Sequence, residues 1–225
     1  MRYNIFYQIH KGLRAMLYET AIELQRTDFN SADETDSVLK NITAIVDMFD
    51  RHAHTEDSLV FPAVAGYEPS IADAFEQEHV KDHELTEKLR TLILMFGSLN
   101  MEEEKIQLGS ALRRTFVEFI VFNLEHMAKE EDIINNLLWR YYSDEEILAM
   151  EQKIVSSQSP ADVAFASQWM LRGLSNQEIV RWLKKVEKNA PEFVFNNLFG
   201  MAEKELPHHR FQQVVEGISE GVMLA

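Results

Sequence analysis

The sequence predicts an all-α protein: an up-down-up-down four-helix bundle followed by a helical C-terminal extension. The 225 residues include only five prolines and eight glycines, which favours long uninterrupted helices. Four long segments between residues 3 and 142 carry apolar residues at helical spacing. The loops that join them are short and polar. Short loops between long helices make neighbouring helices antiparallel, so we expect a bundle.

Composition and charge restrict the partners of this chain. Hydrophobic residues make up 46% and charged residues 26% of the sequence, as in a globular domain. The formal net charge of -15 argues against nucleic acid or an anionic membrane as a partner, because either requires a positive field. No apolar run is long enough to span a membrane, and the N-terminus lacks the apolar core of a signal peptide. We therefore expect a cytoplasmic protein.

The absence of cysteine excludes disulfides, iron–sulfur clusters, thiolate zinc sites and cysteine nucleophiles. A metal ion would have to be held by histidine, carboxylate or backbone oxygen. The third segment, residues 69–97, contains His79 and His83 four positions apart. On a helix they are about 40° and roughly 6 Å apart, so both imidazoles are expected to face one ion. Ordinary half-buried histidines give the same spacing.

The other three segments supply matching residue types. The first carries His10 on or beside its apolar face, where a lone histidine is also a common core residue. The second ends with His52 and Glu56, which share a helix face at four-residue spacing, and the fourth repeats this pair as His126 and Glu130. Helices of alternating direction bring all these positions to one level of the bundle.

After Tyr142 the character of the chain changes. Ser143 followed by three acidic residues predicts the start of a new helix, and Ser175 with Glu178 predicts a capping box. We divide the chain into a metal-binding bundle, residues 1–142, and a helical extension, residues 143–225, that provides packing or a homo-oligomer surface.

Together the segments offer five imidazoles and two carboxylates, which is what two adjacent first-row metal ions need. Imidazole suits iron, and a carboxylate can bridge two cations. Burying so many titratable groups without an ion would be costly. The candidate ligands are His10, His52, Glu56, His79, His83, His126 and Glu130.

This ordered pattern resembles the hemerythrin-like (HHE cation-binding) family over roughly residues 1–142. The resemblance implies two non-haem iron ions joined by a bridging oxygen, with Glu56 and Glu130 as bridging carboxylates. On a regular helix only Glu130 shares the face of His126, since Glu131 lies about 140° away. Ferritin-like di-iron proteins instead place Glu three residues before His, a spacing that within the four bundle segments only Glu76 and His79 reproduce.

The resemblance leaves three functions open. One iron with three histidines would be six-coordinate, and the other, with two, would keep an open position for oxygen or nitric oxide, as in a carrier or a sensor of oxygen or iron. A redox enzyme is the alternative, although the absence of a cysteine-bearing N-terminal segment counts against iron–sulfur-cluster repair. The third is a helical interaction protein that has lost its metal. The candidate walls of a ligand pocket are Phe6, Leu13, Phe75, Phe119 and Phe122.

Overall fold

The computed structural model describes residues 2–99 and 101–219, and the regular secondary structure of this part of the chain is helical, without a strand. The predicted fold class is therefore confirmed. The helices are α1 (Tyr7–Arg26), α2 (Ala32–Thr55), α3 (Phe61–Ala65), α4 (Pro69–Phe96), α5 (Glu102–Lys129), α6 (Asn135–Tyr141), α7 (Asp144–Ser157), α8 (Pro160–Gly173), α9 (Asn176–Asn189), α10 (Glu192–Glu205) and α11 (His208–Ser219). Two π-helical turns, Glu56–Val60 and Glu130–Ile134, connect α2 to α3 and α5 to α6. None of the described helices combines the length and apolar composition that crossing a bilayer requires.

The chain divides into two compact units. Unit 1 consists of Met1–Phe6 and Met16–Ser157, and unit 2 consists of Tyr7–Ala15 and Gln158–Ala225. Helix α1 thus contributes its first part to unit 2 and its second part to unit 1. The predicted boundary at residue 142 stays a prediction, and the end of the predicted extension, residues 220–225, lies outside the described residues.

Unit 1 packs its four long helices around a shared core. Side-chain hydrogen bonds join each helix to the next: Asn41 to Glu23 (α2 to α1), Arg90 to Asp47 (α4 to α2), Asn123 to Asp82 (α5 to α4), and Arg113 to the Leu24 carbonyl (α5 to α1). The core between them contains Phe49, Phe116 and Phe119, each at most 2% exposed. Since burial of an aromatic side chain is worth a few kcal/mol, these rings hold the four helices together.

Unit 2 is built around helix α9, and its predicted capping box is confirmed. The Ser175 hydroxyl accepts from the Glu178 backbone N–H, and the Glu178 carboxylate accepts from the Ser175 N–H. The same carboxylate accepts from Lys11 Nζ at 2.8 and 3.0 Å. A Cβ atom at Gly173 would lie 2.2 Å from the Lys11 carbonyl oxygen, so only glycine permits this close approach of the first part of α1.

Candidate metal centre

Four of the predicted ligands form a buried cluster inside unit 1. Glu56, His79, His126 and Glu130 are 3, 7, 4 and 0% exposed. One ligand-type atom from each residue lies within 4.8 Å of the corresponding atom of each of the others. Two carboxylates and two imidazoles converge from the ends of α2 and α5 and from the first half of α4. This is the donor set that a first-row metal ion binds.

A second group of ligand atoms shares both carboxylates of the first. His52, Glu56 and Glu130 also offer atoms within 4.8 Å of one another. The two oxygens of Glu56 face different histidines: Oε1 lies 3.1 Å from His52 Nε2, and Oε2 lies 3.5 Å from His79 Nε2. One carboxylate thus lies near two imidazoles from different helices.

Glu130 occupies the corresponding position on the other half of the bundle. Its Oε1 lies 3.2 Å from His126 Nε2 and 4.0 Å from His79 Nε2. Glu131 is only partly buried. The structure therefore turns the first of the two adjacent glutamates into the cluster, although its role as a ligand stays a prediction.

The backbone at both glutamates departs from a regular α-helix. A π-helical turn begins at Glu56 and another at Glu130, and the backbone N–H groups of Phe61 and Asn135, five residues on, donate to their carbonyls. The two His-x-x-x-Glu pairs thus resemble each other in local backbone conformation as well as in sequence. Isolated π turns of this kind recur at functional sites. After the first turn, the Phe61 ring stacks on His79 with centroids 5.1 Å apart.

Outer carboxylates fix the orientation of two imidazoles. His79 Nδ1 lies 2.7 Å from Asp57, and His126 Nδ1 lies 2.8 Å from Glu78, which also accepts from Lys129 Nζ at 3.0 Å. With Nδ1 engaged outward, Nε2 of each ring faces the cluster. Histidine ligands are typically held by such second partners. Asp57 follows the predicted ligand Glu56, and Glu78 precedes the predicted ligand His79. This adjacency is the sequence signal that could have identified both carboxylates.

The chemistry of these residues fits a metal ion. The buried Nε2 atom of His126 has no hydrogen-bond partner within the described part of the chain, although it lies 3.2 Å from Glu130. A buried polar nitrogen without a hydrogen bond is rare in native proteins, and an ion would satisfy it. Without an ion, protons compensate the buried acids. Burial lowers the pKa of His79, but hydrogen bonds to Asp57 and Glu56 outweigh it and raise the pKa to about 10.

The pKa of His126 is also raised above its ordinary value. Burial acts to lower it, but the nearby Glu130 carboxylate, the hydrogen bond with Glu78 and the negative charge of Glu56 prevail. A metal ion entering the cluster must therefore displace protons that these two imidazoles hold more tightly than free histidine does.

The structure does not bring His83 into the cluster, and the expectation that it shares an ion with His79 stays a prediction. Its side chain is 65% exposed, and its Nδ1 lies 3.7 Å from Asp50. The buried stripe of α4 runs from Phe75 through His79 to Asp82, with spacings of four and then three residues. Adjacent residues on a helix point about 100° apart, so His83 faces solvent because Asp82 faces the core.

His10 is completely buried on α1, at 0% exposure. Its assignment as a ligand stays a prediction. The expected asymmetry of three histidines on one iron and two on the other stays a prediction as well.

Sequence reasoning missed a second buried polar pair. Asp82 is 3% and Asn123 2% exposed, and Asn123 Nδ2 donates to Asp82 Oδ1 at 2.6 Å. They lie three residues after His79 and three before His126, respectively, so this bond ties α4 to α5 near the cluster. Burial raises the pKa of Asp82, which outweighs the hydrogen bond from Asn123. The alternation of four- and three-residue spacing in α4 could have indicated that Asp82 faces inward.

Aromatic rings cover the cluster. The Phe75 and Phe122 rings lie 5.8 and 5.9 Å from that of His126 between centroids, so two of the predicted wall residues contact a predicted ligand. Phe119 packs edge-on against Phe49 instead.

Comparison with known proteins agrees with this site. Residues 1–138 match the hemerythrin HHE cation-binding domain family, and the chain belongs to that family. Among curated proteins it is similar to F-box/LRR-repeat protein 5 from Salmo salar (20% identical), Mus musculus (21%) and Xenopus tropicalis (22%). The matches cover 83, 76 and 82% of this chain but 26, 24 and 26% of those proteins, so the chain spans about a quarter of their length. No solved structure gives a significant match.

Proposed function

We propose that this protein holds two non-haem iron ions and uses them to bind or sense a small molecule, oxygen or nitric oxide, or to sense iron itself. The observation that carries the proposal is Glu56, whose two carboxylate oxygens face His52 and His79 at 3.1 and 3.5 Å. A carboxylate whose two oxygens face different imidazoles can serve one ion with each oxygen. A cytoplasmic location and self-association through the C-terminal helices stay predictions.

The residues divide between two ion positions. His79 and His126 would hold one ion, and His52 would hold the other, while the assignment of His10 as a further ligand stays a prediction. Glu56 and Glu130 would serve both ions, as their membership of both ligand groups favours. Imidazole and carboxylate donors together suit iron, and two carboxylates offset part of the charge of two cations.

The chain's own residues prepare the site for this chemistry. Asp57 and Glu78 accept from the Nδ1 atoms of two histidines and so keep their Nε2 atoms available. Phe61, Phe75 and Phe122 pack against the imidazoles and limit the access of water. Iron, when bound, supplies reversible electron transfer and coordination positions that a small ligand can enter.

A redox enzyme is the second candidate, and the exposure of His83 favours it. A reversible carrier benefits from one coordinatively closed ion, which the expected third histidine would have provided. With His83 65% exposed, both ions would keep positions for exogenous ligands. Repeated oxygen consumption with a reductant would support the enzyme, whereas a spectrum that oxygen or nitric oxide changes reversibly, without turnover, would support the binding protein.

The test is metal analysis after growth with added iron. We expect about two irons per chain, with the near-ultraviolet absorption of a di-iron centre. Glu56→Gln is expected to lower the iron content toward zero, because it removes the negative charge and replaces one carboxylate oxygen with an NH₂ group, which donates hydrogen bonds and cannot bind a cation. His83→Gln is the matched control and should keep both irons. Recovery of zinc in stoichiometric amount, or of no metal, would refute the assignment.

A further inference from the structure

Asn135 is a buried polar residue that the proposed centre does not use. It is the first residue of α6 and is 0% exposed. Its sequence neighbour Ile134 and Leu138 one turn on are equally buried and belong to an apolar cluster. Within the described ranges, Oδ1 of the amide accepts no hydrogen bond and Nδ2 donates none. Because native proteins satisfy nearly all buried amides, a molecule from outside the chain is the expected partner.

The π-helical turn places Asn135 next to Glu130. Its backbone N–H donates to the Glu130 carbonyl, so the two residues are one π turn apart. The equivalent residue after the other glutamate of the repeated His-x-x-x-Glu pair is Phe61, whose N–H donates to the Glu56 carbonyl. The Phe61 ring stacks directly on His79. The Phe61 position therefore borders the cluster. Asn135 holds the equivalent position after Glu130, with an amide where the other half has an aromatic ring.

We propose that the Asn135 amide forms a hydrogen-bonding subsite beside Glu130 for a molecule of the size of water. In the resting protein the subsite holds an internal water, and a small anion or diatomic ligand of the centre replaces it. An apolar surrounding with one amide suits such a ligand, because the apolar part excludes bulk water and the amide can both donate and accept. The ligand half of this proposal rests on the proposed function, whereas the water half does not.

The first experiment uses the metal-free full chain and therefore does not depend on iron. The side-chain NH₂ of Asn135 should show magnetisation transfer with a long-lived internal water in NMR spectra, and Asn135→Leu should lose that signal. Asn135→Leu keeps the size of the side chain. If the amide has a water partner, the substitution lowers the melting temperature. If it has none, leucine raises the melting temperature, since it removes an unsatisfied buried polar group.

The second experiment uses the iron-loaded protein and azide as the probe. Asn135→Leu should keep the iron content and weaken azide binding about five- to tenfold, the loss expected for one hydrogen bond. Asn136→Leu is the matched control, because it removes the exposed neighbouring amide and should leave azide binding unchanged. Absence of the water signal together with a raised melting temperature would overturn the proposal, as would unchanged azide affinity in Asn135→Leu. Failure of the parent protein to load iron would refute the proposed function while the first experiment still decides the water site.

Discussion

Metal binding should release a proton from His79, and the amount follows from its environment. Burial lowers the pKa of this imidazole, yet hydrogen bonds to Asp57 and Glu56 raise it to about 10. At pH 8 the metal-free ring is then about 99% protonated, whereas a histidine at its ordinary pKa would be about 3% protonated. A ligand imidazole must be neutral, so loading the centre at pH 8 should expel close to one proton from His79 alone.

The same shift determines how the stability of the metal-free protein depends on pH. Since the folded pKa lies above the unfolded value of about 6.5, the stabilisation is complete below pH 6.5. It is lost as the pH rises toward 10. A shift of this size corresponds to about 5 kcal/mol of unfolding free energy. Asp57 is 39% exposed, so solvent screens part of its share.

Calorimetric titration of the metal-free protein with ferrous ion, in buffers of different ionisation enthalpy, counts the released protons. Asp57→Asn removes a negative charge at His79 Nδ1 and should reduce the count, while His83→Gln should not change it because His83 lies outside the cluster. Protons from any bridging water contribute equally to all three proteins. A count that is the same for Asp57→Asn and the parent protein at pH 8 would refute the assignment of the raised pKa to this contact.

Three further outcomes are expected. Glu130→Gln should empty the centre and Glu131→Gln should not, as shown by iron content and spectrum; the reverse result would mean that the π turn presents the second glutamate. Iron should leave the protein below about pH 5, because histidine ligands must be neutral, and iron retained after long dialysis near pH 4 would contradict histidine ligation. Asp82→Asn should stabilise the metal-free protein more at pH 7 than at pH 4 in urea unfolding, because burial raises the pKa of Asp82 and its ionised form destabilises the fold as the pH rises through that pKa; an equal gain at both pH values would contradict this.

The sequence was sufficient for the helices and for which histidine and glutamate side chains share a helix face. Apolar residues at helical spacing, proline at the start of α4 and the capping box at Ser175 and Glu178 are local features, and the structure has helices where they predict them. The spacing of His52 to Glu56 and of His126 to Glu130 indicated which side chains share a face. These predictions succeeded because helix propensity, capping and i,i+4 geometry depend on residues within about one turn of each other.

Only the tertiary structure decided which of two neighbouring positions faces the core. At Asp82 and His83 the periodicity allowed either residue to point inward, and contact of α4 with α5 through Asn123 selected Asp82. The π turns at Glu56 and Glu130 could not be predicted from the sequence either. An extra residue in a helical turn changes the direction in which the following side chains point, and packing against other helices determines where such a turn forms. The buried amide of Asn135, which has no hydrogen-bond partner in the described residues, could also be recognised only in the tertiary structure. The burial of a side chain depends on the elements that pack around its helix and not on the helix alone.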